Sequence, residues 1–179
     1  MYKWEIWMEN KDECKEAFDK YLEEGAIKEE EEQEHLIQSH LKKVDYNLDF
    51  INSLLQQKKF YDWIIVGCYY AIYHAALALL SKEGYSSKSH FATLCALIHL
   101  YYRETSSNEK DKENTLDKED IELVAKSSLD KEEVTYFVEA KSKRETASYG
   151  INEEISKNEA EKLKVKSVLF VNKVKEILE

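Results

Sequence analysis

The chain has 179 residues, 43% of them hydrophobic and 35% charged, with a formal net charge of -10. That length and apolar content suit one domain with a substantial core and exclude disorder throughout. The acid excess excludes broad duplex DNA binding, which draws on clustered Lys and Arg, while leaving room for a small basic cleft.

Proline is absent and glycine occurs four times, so few turn and strand signals remain and long helices are the default: the expected class is all-α. Cys14, Cys68 and Cys95 are odd in number and widely spaced, which argues against a disulfide framework or a thiolate zinc site and fits a reducing cytoplasm. The opening MYKWEIWMENKDEC has no apolar h-region, so no secretion signal is expected.

In chain order, residues 11 to 24 place Cys14, Ala17, Phe18, Tyr21 and Leu22 on one helical stripe ending near Gly25, and residues 1 to 30 read as a helical arm. Ile37, Leu41, Val44, Leu48, Ile51 and Leu55 then alternate in steps of four and three, the pattern of a bundle helix. From Trp63 to Leu80 only Gly67 and His74 lie outside the hydrophobic set. Eighteen residues is the lower limit for a membrane span, but the tyrosines, alanines and histidine favour a helix buried on all sides.

Gly84 closes that helix, and another runs from about Ser87 to Tyr102. Residues 103 to 116, RETSSNEKDKENTL, have almost nothing to bury and read as a mobile connection. Asp117 is placed to cap a short helix to about Ser128, and Asp130 with Glu133 forms a capping-box-like start for a helix running toward Arg144. After RETASYG the chain restarts at Ser156, with Glu159 three residues on and Leu163, Phe170, Val174 and Ile177 on the buried face.

Several motifs are incomplete. Glu32-x-x-His35 is half of a carboxylate di-iron pattern, with no second E-x-x-H. Gly84-x-x-x-Lys88-Ser89 lacks the second glycine of a phosphate loop. His35 and His40 are about 140° apart around a helix, do not share a ligand face, and are both expected in solvent. No metal or other cofactor is indicated. His74 needs a partner, because an unbonded buried imidazole costs roughly 1 to 3 kcal/mol, and the hydroxyls of Tyr69, Tyr70 and Tyr73 are the nearest in sequence.

YYAIYHAALALL, then GYSSKSHFATL, then R-x-x-x-x-Y ahead of SKNEAEKL resemble, in order and spacing, the HEPN (higher eukaryote and prokaryote nucleotide-binding) domain family. The likeness covers residues 31 to 179 and is greatest to the prokaryotic branch associated with minimal nucleotidyltransferases. It implies an up-and-down helical bundle that forms a homodimer, with the two Arg motifs facing a shared cleft that binds RNA or nucleotide. It also implies a toxin-antitoxin-like pairing with a minimal nucleotidyltransferase, and no membrane partner.

By that resemblance Arg144 holds phosphate, Lys88 and His90 are further cleft residues, and Tyr70 and His74 lie in the core beside the cleft. Active members are metal-independent endoribonucleases that use an Arg and a His, but the His position is filled here by Tyr149, and no histidine follows His99. An ordinary phenol is only about one part in a thousand ionised at pH 7, so binding, or modification of Tyr149 by the partner enzyme, is expected ahead of fast cleavage. A catalytically silent docking module, or a ribonuclease using His74 or His90, are the alternatives.

Overall fold

A computed structural model describes residues 2–31, 33–103, 118–150 and 155–179. Glu32, Asp117 and nearly all of the 103–116 connection lie outside them, so the readings made there have no structural counterpart.

Among the described residues the fold is a helical bundle. Helices α1 (Lys3–Glu9) and α2 (Lys11–Glu23) form the arm, followed by strand β1 (Ile27–Glu29). The bundle comprises α3 (Gln33–Gln57), α4 (Tyr61–Lys82), strand β2 (Tyr85–Ser87), α5 (His90–Tyr101), α6 (Lys118–Lys126), α7 (Lys131–Tyr149) and α8 (Lys157–Leu178).

α4 sets the architecture. Its composition leaves no polar face, so burial requires protein on nearly every side, and α3, α7, α8 and α5 all pack against it. The helix is long and apolar enough to cross a membrane, yet 83% of its apolar window is buried inside the protein. Only Trp63, Val66, Tyr70 and His74, spaced three or four residues apart, mark a less covered stripe along its middle.

Side-chain pairs give the helix directions. His40 meets His74 while Gly67 faces Ile51, so α3 and α4 are antiparallel across the short turn at residues 58–60. Lys143 pairs with Glu159 and Lys166 with Glu139, making α7 and α8 antiparallel as well. The starts of α7 and α8 follow the anticipated caps: Asp130 with Glu133 and Ser156 with Glu159 both form capping boxes.

The arm shares the bundle's hydrophobic core. Trp7, Met8, Cys14 and Phe18 are buried in the same cluster as α4 and α5. The Cys14 and Cys95 thiols point at each other's backbone carbonyls at 3.8 and 3.7 Å, and all three cysteines are free and buried.

Three local expectations change. Residues 27–29 and 85–87, where no strand is legible, pair antiparallel because the chain leaves α2 and α4 through left-handed turns at Gly25 and Gly84 and passes in extended form. The α5 helix therefore begins at His90 rather than near Ser87. The α7 helix does not stop near Arg144 but continues through Tyr149, with Gly150 as its C-cap.

The approach of α3 to α4 depends on Gly67, where an added Cβ would lie 2.9 Å from the Ile51 Cγ1. Both residues are buried, so the surroundings have little room to relax. Gly67→Leu should destabilise the protein by about 1 to 3 kcal/mol in denaturant unfolding, the typical cost of overpacking.

Candidate functional site

The candidate site lies where the middle of α4, the start of α5 and the last turns of α7 meet. Phe137, Ala140 and Arg144 follow one another at helical spacing on α7. The first two are buried against the bundle, with Phe137 at 6.3 and 6.4 Å from the Tyr69 and Tyr73 rings. That stripe delivers Arg144 to the tyrosine cluster of α4.

The guanidinium carbon of Arg144 lies 5.9 Å from the Tyr69 ring centroid and 5.6 Å from that of Tyr149. The Tyr70 hydroxyl, and after it that of Tyr149, favours the charged form of the guanidinium, which raises an already high pKa. Its Nε is shielded from solvent and has no hydrogen-bond partner among the described residues. A cationic N–H in that state is an unused donor, and leaving such a group unbonded costs at least roughly 1 to 3 kcal/mol.

The surroundings of Arg144 on α4 are aromatic. Tyr69 and Tyr73 stack with centroids 5.8 Å apart, and both lie at or below 8% exposure. Burial pushes both phenols above their ordinary range, so they act as neutral hydrogen-bonding groups. Tyr69 is hydrogen-bonded to His90 Nδ1, and the His90 ring lies 4.8 Å from Tyr73.

His90 is the first residue of α5, and its pKa is held below the ordinary value by burial, then by Arg144 and Lys141, with Glu145 opposing. The positive end of the helix acts in the same direction. Lys141 stands one turn before Arg144, pairs with Glu145 at 2.6 Å and lies 4.7 Å over the exposed Phe91 ring. Arg144, Tyr69, Tyr70, Tyr149 and His90 are thus brought together.

Other candidates fall elsewhere. Lys88 is exposed and lines a shallow hollow with Gly25, Ala26 and residues of the two strands. His74 is paired with His40, Nδ1 to Nδ1 at 3.1 Å, one ring donating its N–H and the other accepting. Neither the expected tyrosine partner for His74 nor the expected solvent position for His40 is found, because antiparallel pairing of α3 with α4 buries the two rings against each other. No group of three or more potential metal ligands occurs among the described residues.

Tyr69, Tyr73 and Lys141 were not singled out for the cleft from sequence. The available signal was spacing: Tyr69 and Tyr73 are one turn apart, and Lys141 shares a helical edge with Arg144 and Glu145.

Tyr149 is 72% exposed, so truncating it removes little packed surface. Tyr149→Ala should cost no more than about 1 kcal/mol in stability, the scale of an exposed cation-π contact, as read by thermal or denaturant unfolding. His74 is held down to about 4, by burial first and then by His40 and Lys43. The unfolded chain therefore binds more protons between about pH 6.5 and 4, so this contribution to stability is full above that window and lost as pH falls through it. Denaturant titrations at pH 7 and pH 4.5 should show the loss, and His74→Phe should reduce the difference.

The sequence matches no protein-family model and no curated protein.

Proposed function

We propose that the Arg144 cleft binds the phosphate of RNA or a nucleotide, in a HEPN-type bundle that works as a homodimer with a minimal nucleotidyltransferase, as half of a toxin-antitoxin-like pair. The observation that carries this reading is the Arg144 guanidinium, cationic, flanked by two aromatic rings, with a shielded Nε that has no partner among the described residues. A phosphate oxygen supplies the missing acceptor through a charge-assisted bond. Tyr149, exposed beside it, offers a face on which a base can stack.

Electrostatics support a local site and not a broad one. Lys141 and Arg144 sit one turn apart on α7 in a chain whose net charge is -10, which suits one or a few phosphates and opposes duplex DNA. Free buried cysteines and the burial of α4 fit a cytoplasmic protein that keeps its thiols reduced.

The homodimer is supported by the stripe that α4 leaves uncovered. Trp63 is 59% exposed and Phe60 53%, while Phe50 and Tyr46 on α3 are 37% and 69% exposed. The same aromatics favour a second reading, in which this face docks a partner protein and the cleft has no ligand. Light scattering at micromolar concentration should give a dimer, and a monomer removes the shared-cleft reading.

Arg144→Ala should weaken RNA or nucleotide binding by about 1.5 to 3 kcal/mol, with the helical circular dichroism unchanged, and Arg144→Lys should restore part of the loss. If the nucleotidyltransferase modifies the chain at Tyr149, intact mass after incubation with that enzyme and ATP should rise, and Tyr149→Phe should abolish the increase.

A further inference from the structure

The N-terminal arm and the bundle meet through two thiols. Cys14 is the fourth residue of α2, and Cys95 lies in the middle of α5, 81 residues further along the chain. Each sulfur approaches the other's backbone carbonyl, Cys14 Sγ to Cys95 O at 3.8 Å and Cys95 Sγ to Cys14 O at 3.7 Å. That reciprocity brings the two backbones close together with both side chains in the space between them, and the thiols contact each other as well. Disulfides join backbones at such short range, with Cα atoms usually about 4.4 to 6.8 Å apart. Both thiols are nonetheless free.

The two sulfurs are not equivalent. Cys14 lies in the first turn of α2, where the helix dipole favours an anion. It lines a hollow of about 350 Å³ with Lys11, Asp12, Lys15, His99 and Arg103, so cations outnumber the one carboxylate there. With 2% of its surface exposed, Cys14 is within reach of a small molecule in that hollow and of nothing larger. Contact between the thiols holds Cys14 below the ordinary thiol value, with burial opposing, and pushes Cys95 above it, with burial adding. Cys14 therefore ionises first, and the thiolate is the nucleophilic form. Cys68 is a different case: it has no exposed surface, is pushed up to about 12 chiefly by burial, and contacts Ser167 rather than another cysteine.

We infer that Cys14 and Cys95 are a peroxide-reactive pair, which a hydroperoxide converts to a disulfide that ties the arm to the bundle. The Cys14 thiolate attacks the terminal peroxide oxygen, the O–O bond breaks, and the departing hydroxide or alkoxide takes up a proton, leaving a sulfenic acid on Cys14. The Cys95 sulfur then attacks the Cys14 sulfur, the S–O bond breaks, and the hydroxyl leaves as water with the Cys95 proton. Two thiols lose two electrons in total, and one hydroperoxide is reduced to water and an alcohol, or to two waters when it is hydrogen peroxide.

A low-molecular-weight thiol reverses the step by exchange, so in a reducing compartment the bond is transient and reports oxidant. While it lasts it adds a covalent tie to an arm otherwise held by core packing and the β1–β2 pairing. None of this depends on what the Arg144 site binds.

The test uses the full chain, reduced and then freed of reductant, treated with stoichiometric hydrogen peroxide under native conditions. Intact mass should fall by the mass of two hydrogens, proteolytic mapping without reduction should join the Cys14 and Cys95 peptides of one chain, and dithiothreitol should restore the mass. Cys68→Ser should behave as wild type does. Cys95→Ser should instead gain one oxygen, captured at Cys14 by dimedone, and Cys14→Ser should form no disulfide.

Wild type that keeps its mass, gains oxygen without losing hydrogens, joins Cys68 to either residue, or forms the bond only after unfolding in urea overturns the inference. Dimedone capture at Cys95 or Cys68 in preference to Cys14 overturns it too. Circular dichroism checks that each variant is folded, and because the linkage is mapped in wild type, a misfolded variant leaves the result decided.

Discussion

Everything in this protein follows from the need to bury a helix that has no polar side. From Ile64 to Ser81 nearly every residue of α4 is enclosed, and an isolated helix of that composition would aggregate or seek a membrane. Four other helices surround it, and each contributes its own apolar stripe. Burying side chains such as Ile65, Ile72, Leu79 and Leu80 contributes roughly 1.5 to 3 kcal/mol each before the entropy of ordering is subtracted. The enclosure is therefore cooperative, and even the N-terminal arm is drawn into the same core through Trp7, Cys14 and Phe18.

The same enclosure explains the chemistry. Polar groups on a surrounded helix must be bonded, and α4 carries Tyr69, Tyr70, Tyr73 and His74 in succession. Tyr69 bonds His90, Tyr70 lies beside Arg144, and His74 bonds His40. Each of these three partners comes from a different helix, so bonding Tyr69, Tyr70 and His74 recruits α5, α7 and α3. A guanidinium set against tyrosine rings is the outcome at one end of that belt, and an imidazole pair at the other.

The two ends behave differently because their neighbours do. At the His40–His74 pair the nearby charge is Lys43, which disfavours a further proton, and burial acts the same way. At His90 burial acts first, the cations Arg144 and Lys141 add to it and Glu145 opposes them, and the half-buried ring stands at a helix start. In both histidines it is Nδ1 that carries the hydrogen bond, to an imidazole in His74 and to a phenol in His90.

Much of the fold was legible in the sequence because helix signals are local. The steps of four and three in α3, the capping boxes at Asp130 and Ser156, the glycine stops at 25 and 84 and the unbroken apolar run of α4 each act within a few residues of themselves. From those alone come the all-α class and most helix positions; His74 stands out as the polar residue of an apolar run, whereas the roles expected of Arg144, Tyr149 and His90 came from the resemblance to the HEPN family. The tertiary structure decided what meets what: His40 with His74 across 34 residues, Tyr69 with His90 across 21, and Arg144 over Tyr69, together with the short β1–β2 pairing. The reason is physical. Periodicity determines which side of a helix is buried, whereas the partner of a buried polar group depends on the direction and register of a neighbouring helix, and those are set only when the whole bundle closes around α4.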